Sequence, residues 1–237
     1  MQIDKKIQKN NYFEFRNVEI KQYKDTILPV WIKNEILNKD LKILDYGCGF
    51  GQTLQALARG GYKNIFGVDI EKNAIEYCTA NSLDVRELNL DNLQNPFGFK
   101  FDIIILSHVI EHIPKEEIIN KLSFIKNDFL VENGKLLIAV PNAQSNTDSY
   151  WAYEDWTHTT LFTSGSIYYV LKAVGFNNIK FIDIDCTIVS STIKRIIKKL
   201  LLKVYVLNKT FWNRVTCSSY HKPSPQIFSF EIKVKAS

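Results

Sequence analysis

Apolar positions along this chain repeat with two different periods, and the switches between them outline a fold. Short runs at 42–44, 64–68, 83–88, 101–106, 135–140 and 178–184 read as strands. Between them, 52–59, 71–81, 114–130 and 164–173 carry apolar residues at the three- and four-residue spacing of helices. Strands and helices in alternation predict an α/β architecture on a parallel sheet. FDIIIL at 101–106, rich in β-branched residues, has the unbroken apolar character of a central strand buried on both faces. QIFSFEIKV at 226–234 alternates instead, as a half-exposed strand does. Within 24–38, Ile27, Leu28, Trp31, Ile32, Ile36 and Leu37 recur at helical spacing and predict a helix with a core role. Residues 1–22 are polar with scattered aromatics (Tyr12, Phe13, Phe15) and form an N-terminal arm that either folds over a ligand or packs as a surface helix. The stretch 141–162, PNAQSNTDSYWAYEDWTHTTLF, follows neither period. Loops this long in a compact domain are functional or disordered, and Trp151, Tyr153 and Trp156 argue against disorder.

The turn 45–51, DYGCGFG, joins the first strand to its helix. Gly47, Gly49 and Gly51 have no Cβ and can take positive φ, so the chain can turn tightly there and bring its backbone, Cys48 included, close to a ligand. The next strand ends in Asp69, followed by Ile70, where a carboxylate can accept hydrogen bonds from a ribose diol. An adenosine-bearing ligand follows from the two together. The dinucleotide fingerprint GxGxxG needs a third glycine where this chain has Gln52. Two hydrophobic residues, Asp45, Gly47, Gly49 and Gly51, with Asp69 eighteen residues after Gly51, instead resemble motif I and the acidic post-motif of class I S-adenosylmethionine-dependent methyltransferases. The resemblance implies a Rossmann-like fold: a seven-stranded, mostly parallel sheet with helices on both faces and 226–234 inserted antiparallel beside 178–184. It also implies S-adenosylmethionine as methyl donor and S-adenosylhomocysteine as product. Asp45 would orient the amino group, the glycine turn would pass the methionyl part, and Asp69 would hold the ribose hydroxyls. By position, Asn89, Leu90 and Asp91 would meet the adenine, and Ser107 and His108 would end a motif IV strand at the site.

A chain of 237 residues suits one domain. We read 1–40 as arm and helix, 41–140 as the cofactor-binding half, 141–162 as an acceptor loop and 163–237 as the C-terminal half. A net charge of +5 permits an anionic acceptor without demanding nucleic acid. Cys48, Cys78, Cys186 and Cys217 are too widely and irregularly spaced for a disulfide framework or a zinc site. The N-terminus lacks the apolar core of a signal peptide, and no run approaches the roughly 18 apolar residues of a membrane span. A cytoplasmic protein with reduced thiols is the expectation.

Three of the four histidines fall in two segments that this topology places at the C-terminal edge of the sheet, where open α/β sheets bind ligands. SHVIEHIP carries His108, Glu111 and His112, and DWTHTTLF carries His158. If 108–112 forms a helical turn, His108, Glu111 and His112 share a face at i, i+3 and i+4. Closed by His158, that face could hold a divalent ion. It resembles the Glu-x-x-Glu-His turn plus distant histidine of small-RNA 2′-O-methyltransferases, with His108 at the first Glu position. A metal would acidify an acceptor hydroxyl. Without one, His158 or His112 can act as general base beside Glu111. The Glu-His pair can also simply buttress the next helix.

THTTLFTSGSIYYVLKAVGF resembles a His-x-x-x-Phe-Thr pattern, followed by a helix ending in Gly-Phe, of bacterial surface-polysaccharide methyltransferases. That favours a small-molecule or glycan hydroxyl over RNA as acceptor. An RNA 2′-O-methyltransferase and a non-catalytic cofactor-binding regulatory subunit are the alternatives. Finally, 191–206 sets Lys194, Arg195, Lys198, Lys199 and Lys203 against Ile193, Ile196, Ile197, Leu200, Leu201 and Val204. Such a helix packs its apolar face on the core with its lysines in water, or sits on anionic lipid or a phosphorylated acceptor.

Overall fold

The computed structural model describes residues 14, 16, 26–90, 92–185, 188, 192–219 and 225–237. The N-terminal arm with Tyr12, Phe13 and Phe15, and likewise Asp91 and Cys186, fall outside the described residues. In chain order the elements are α1 (Val30–Lys33), β1 (Ile43–Tyr46), α2 (Gln52–Arg59), β2 (Ile65–Asp69), α3 (Lys72–Ala80), β3 (Asp84–Glu87) and β4 (Phe101–Ser107). After a 3-10 turn (Ile110–His112) come α4 (Ile118–Phe124), a π-helical turn (Ile125–Phe129), β5 (Leu130–Pro141), α5 (Tyr150–Glu154), α6 (Ser164–Ala173), β6 (Ile179–Ile182), α7 (Thr192–Val215) and β7 (Glu231–Ala236).

Among the described residues seven strands make one sheet in the order β3-β2-β1-β4-β5-β7-β6. β1 pairs in parallel with β2 and β4, and β2 with β3, whereas β7 runs antiparallel to β6. The reversal of strand order on either side of β1 is the switch point at which such sheets bind ligands. The fold matches the Rossmann-like expectation, including the antiparallel last strand. No helix among the described residues is long and apolar enough to cross a membrane.

The chain divides into two compact units, Met1–Val109 with Ser123–Leu137 and Ile110–Leu122 with Ile138–Ser237. In the first, every residue of β1 is buried, as are Phe101 and 103–106 of β4. Their core is capped by a phenylalanine cluster. The Phe101 ring lies 5.3–5.6 Å from those of Phe66, Phe97 and Phe99 and stacks on Phe129 at 6.3 Å. In the second, buried Asn142 donates through Nδ2 to the carbonyls of Ile227 (3.1 Å) and Ser229 (2.8 Å), fixing the approach to β7. Thr163 and Ser166 form a capping box that starts α6 where the spacing predicted it.

Three helices depart from expectation. The helix foreseen over 24–38 shrinks to α1, because Pro29 caps it and holds the preceding residue extended. Leu28, Trp31, Ile32 and Ile36 are still buried, but Ile27 and Leu37 are 85% and 87% exposed. The helix foreseen over 114–130 starts at Ile118 and widens into the π turn before β5. α7 extends nine residues beyond 206, and none of its residues is buried. The packing of its apolar face on the core is therefore corrected.

Truncating Phe101 to Ala removes the ring around which Phe66, Phe97, Phe99 and Phe129 assemble. Urea unfolding followed by circular dichroism is expected to show a loss of about 3–5 kcal/mol; a loss below about 1 kcal/mol would mean that the cluster contributes little packing.

Candidate active site

In the first unit the glycine turn is locked to the end of β2. Gly47 and Cys48 donate backbone N–H groups to the Val68 carbonyl at 2.8 and 3.1 Å. The Asp69 carboxylate accepts from Gly49 N–H (2.7 Å) through one oxygen, and from Ile70 and Glu71 N–H (2.8 and 2.9 Å) through the other. Gly47, Gly49 and Gly51 have φ of +78°, +51° and +74°. A Cβ on Gly47 would stand 2.6 Å from a Val109 methyl, and one on Gly51 would stand 2.7 Å from Leu83. Both conformation and space thus require glycine. The Cys48 side chain packs into the core with Leu54, Cys78 and Val85, so only its backbone faces the turn.

Asp69, Asn89 and Ser107 stand at or just beyond the C-terminal ends of β2, β3 and β4, which lie at one edge because these strands are linked by parallel pairings. Asn89 is exposed and accepts from Asn92 N–H; Leu90 and Ser107 are half-buried. Ile70 is an exposed apolar side chain beside Asp69. Asp45 is buried next to this edge. Desolvation first, and then the charge of Asp69, push its pKa up to about 7, against a hydrogen bond from Thr53. Burial also raises Asp69, opposed by its three backbone donors. A cationic group on a ligand would relieve both acids, and a glycine turn without Cβ atoms admits a ligand against its backbone. The residues fit the methyl donor with its ammonium and sulfonium charges.

The second unit holds a cluster of Glu111, His112 and His158, whose ligand atoms all lie within 4.8 Å of one another. The two imidazole centroids are also 4.8 Å apart. Hydrogen-bond accounting fixes what each ring presents. His158 Nδ1 meets the Trp151 carbonyl at 2.5 Å, and a carbonyl only accepts, so Nδ1 carries a proton; in the neutral tautomer Nε2 then holds the lone pair. Thr157 Oγ1 gives its one hydrogen to Asp155 at 2.6 Å and so accepts at 2.8 Å from His112 Nδ1–H. That again leaves Nε2 as the lone pair. Burial lowers the His112 pKa and so favours the neutral ring, while Glu111 partly offsets this. Two imidazoles and the fully buried Glu111 thus stand together.

The backbone supports this placement. Thr159 and Thr160 donate N–H groups to the Glu111 carbonyl at 2.8 and 3.2 Å, and Thr159 Oγ1 bonds the Ile113 carbonyl at 2.7 Å, clamping the loop onto the 3-10 turn. Thr157 N–H donates to the Asp155 carboxylate at 3.0 Å, completing an Asx turn ahead of His158.

A family model described as Methyltransferase domain matches residues 12–180. The chain belongs to this methyltransferase family. Among its relatives, the ubiquinone biosynthesis O-methyltransferase of Bartonella tribocorum is 38% identical over 80 residues, 31% of this chain and 32% of that protein. The Coxiella burnetii protein of the same name is 29% identical over 120 residues, covering 47% and 48%. Protein arginine N-methyltransferase 1 of Schizosaccharomyces pombe is 25% identical over 154 residues, covering 59% and 44%. Each match thus spans less than half of the relative's own length. The crystal structure of a SAM dependent methyltransferase from Archaeoglobus fulgidus shares the fold with a TM-score of 0.59 at 20% identity, over 96% of this chain and 99% of that one. Magnesium protoporphyrin IX methyltransferase from Synechocystis, solved with bound SAH, gives 0.52 at 15% identity, over 87% and 78%.

One expectation for this methyltransferase is corrected. β4 ends at Ser107, His108 takes a left-handed φ of +56°, and the helical turn begins only at Ile110. The face at i, i+3 and i+4 does not form, and His108 lies outside the cluster. Conversely, Asp155, Thr157 and Trp151, which set the histidine tautomers, were not singled out for that role by pattern. The Asp-x-Thr spacing immediately before His158 was the available signal, since it favours an Asx turn.

The raised Asp45 pKa has a stability consequence. Below 3.8 the carboxyl is protonated folded or unfolded; between 3.8 and about 7 only the unfolded chain ionises, and above 7 the buried charge is paid in full. Asp45→Asn should therefore stabilise the ligand-free protein at pH 8 by up to about 4 kcal/mol and hardly at all at pH 4. Urea titrations at both pH values check this, and an equal effect at both would refute the assignment.

Proposed function

We propose that this methyltransferase moves a methyl group from S-adenosylmethionine to a hydroxyl oxygen of a small acceptor. The observation that carries the reading is the cluster of Glu111, His112 and His158, whose ligand atoms lie within 4.8 Å of one another, a set suited to taking a proton from a hydroxyl. S-adenosylmethionine, when bound, supplies an electrophilic methyl on its sulfonium and leaves as S-adenosylhomocysteine. The backbone of Gly47, Gly49 and Gly51 passes the methionyl part, Asp45 meets the ammonium, and Asp69 holds the ribose. Ile70, Asn89 and Leu90 surround the base, and Ser107 closes the edge. An unprotonated imidazole Nε2 accepts the hydroxyl proton, and the neighbouring Glu111 carboxyl stabilises the imidazolium. Trp151 and Asp155 act as positioning residues, because they hold the tautomers that expose Nε2.

Glu111, His112 and His158 also suit a divalent cation. Ligands to one ion at about 2.0–2.2 Å stand no more than about 4.4 Å apart, so the observed cluster needs only a small contraction. A cation there would lower the pKa of the acceptor hydroxyl. Two signals bear on the acceptor. The pattern over 157–176 supports a sugar-like hydroxyl of surface-glycan biosynthesis, and the names of the ubiquinone relatives support a phenolic one. Exposed Tyr150, Tyr153 and Trp156 offer ring faces to either. A screen of nucleotide sugars, glycans and catechols would separate the two.

Calorimetry with S-adenosylhomocysteine should show binding that Asp69→Ala reduces by at least tenfold; no binding, or binding that Asp69→Ala leaves intact, removes the donor assignment. His112→Ala and His158→Ala should each lower kcat/KM by roughly 10²–10⁴-fold while leaving that binding within about twofold. Because the His112 base is active when neutral and burial lowers its pKa, the acid limb of kcat/KM should fall below the ordinary histidine range. Metal analysis decides how the proton is removed. Stoichiometric metal in the parent that is lost in His158→Ala supports the cation, whereas negligible metal in both leaves the imidazole base. Full turnover by His158→Ala would sink both.

A further inference from the structure

α7 holds itself against its own unit by one narrow edge. Leu202, Tyr205, Val206 and Lys209 are half-buried, the Tyr205 ring lies 5.6 Å from Phe228, and its hydroxyl donates to Asn146. At 3.6 residues per turn, Ile193, Ile197, Leu200, Val204, Leu207 and Phe211 fall within about 80° of one another on the other side. All six are 51–71% exposed. Water thus covers a continuous apolar stripe along a 24-residue helix, which at 1.5 Å per residue is about 36 Å long.

Charge selects the occupant. α7 contains seven basic residues, the five of 194–203 together with Lys209 and Arg214, and no acidic one. Lys199, Lys203 and Arg214 flank the stripe on one side, and Lys194 and Lys198 flank it on the other. A second copy of the same face would bring two sets of cations together. An anionic bilayer surface offers the opposite arrangement: acyl chains for the stripe, and phosphate groups for lysine and arginine side chains whose methylene stems reach past the apolar edge. We propose that α7 lies in the plane of an anionic lipid surface and anchors this methyltransferase there. The Tyr205–Asn146 contact keeps the seated helix tied to the segment that carries His158.

The test is co-sedimentation of the full chain with phosphatidylcholine vesicles, with and without phosphatidylglycerol. Two variants accompany it, Leu200→Asp with Val204→Asp, and Gln in place of Lys194, Arg195, Lys198, Lys199 and Lys203. Both alter exposed positions outside the residues assigned to methyl transfer, and thermal unfolding should match the parent. Binding is expected only to the anionic vesicles, weakening with salt, and roughly tenfold or more weaker in each variant. Equal binding to neutral vesicles, or parental binding by either variant, overturns the proposal. So does a lipid-free dimer in sedimentation velocity that the double Asp variant dissolves, since the stripe would then belong to a second copy.

Discussion

The Asp69 carboxylate is the constraint on which the first unit rests. Three backbone N–H groups converge on it, one from the glycine turn and two from the start of the following segment. Charge-assisted bonds of this kind are stronger than neutral ones, and each orphaned donor at a buried turn would otherwise cost free energy. One side chain thereby fixes the height of the glycine turn above β2. The backbone it organises is the surface that a ligand would touch. The carboxylate proposed to meet a ribose also holds the glycine turn, so an Asp69 substitution acts on both at once.

The second unit uses a different device. Its imidazoles are oriented through their Nδ1 atoms by a carbonyl and by a threonine-aspartate relay. Second-partner control of this sort is what makes a histidine usable as a base or ligand. It also explains why the loop 141–162 is ordered without regular structure. Thr159 and Thr160 of the loop bond to Glu111 and Ile113, other loop groups bond to one another, and α5 adds a single short helix.

Where local physics sets an element, the residues announced it. Gln52–Arg59 and Ser164–Ala173 begin and end where the pattern says, because a left-handed glycine starts the first and a capping box the second. β4 announces itself through FDIIIL. The misses are equally local. Pro29 overrides the helical spacing of 24–38, since φ/ψ restriction costs more than that short amphipathic stretch can return. His108 turns left-handed because the strand must leave the sheet before the 3-10 turn can start, and spacing alone cannot register that. The relation of His158 to Glu111 depends on threonine bonds across 46–48 residues, a separation at which pattern carries no information.

The connection between β6 and β7 carries the least obvious consequence. Antiparallel neighbours can be joined by a loop of two to five residues, yet 48 residues separate Ile182 from Glu231, and half of them are α7. The match to the methyltransferase domain stops at residue 180, before this insertion begins. α7 meets the approach to β7 through Tyr205 against Phe228, while its apolar stripe is exposed. Large exposed apolar patches carry an aggregation cost, and a monomer that retains one has a surface to cover. A membrane seat for α7, as proposed, would give this long connection a role separate from methyl transfer.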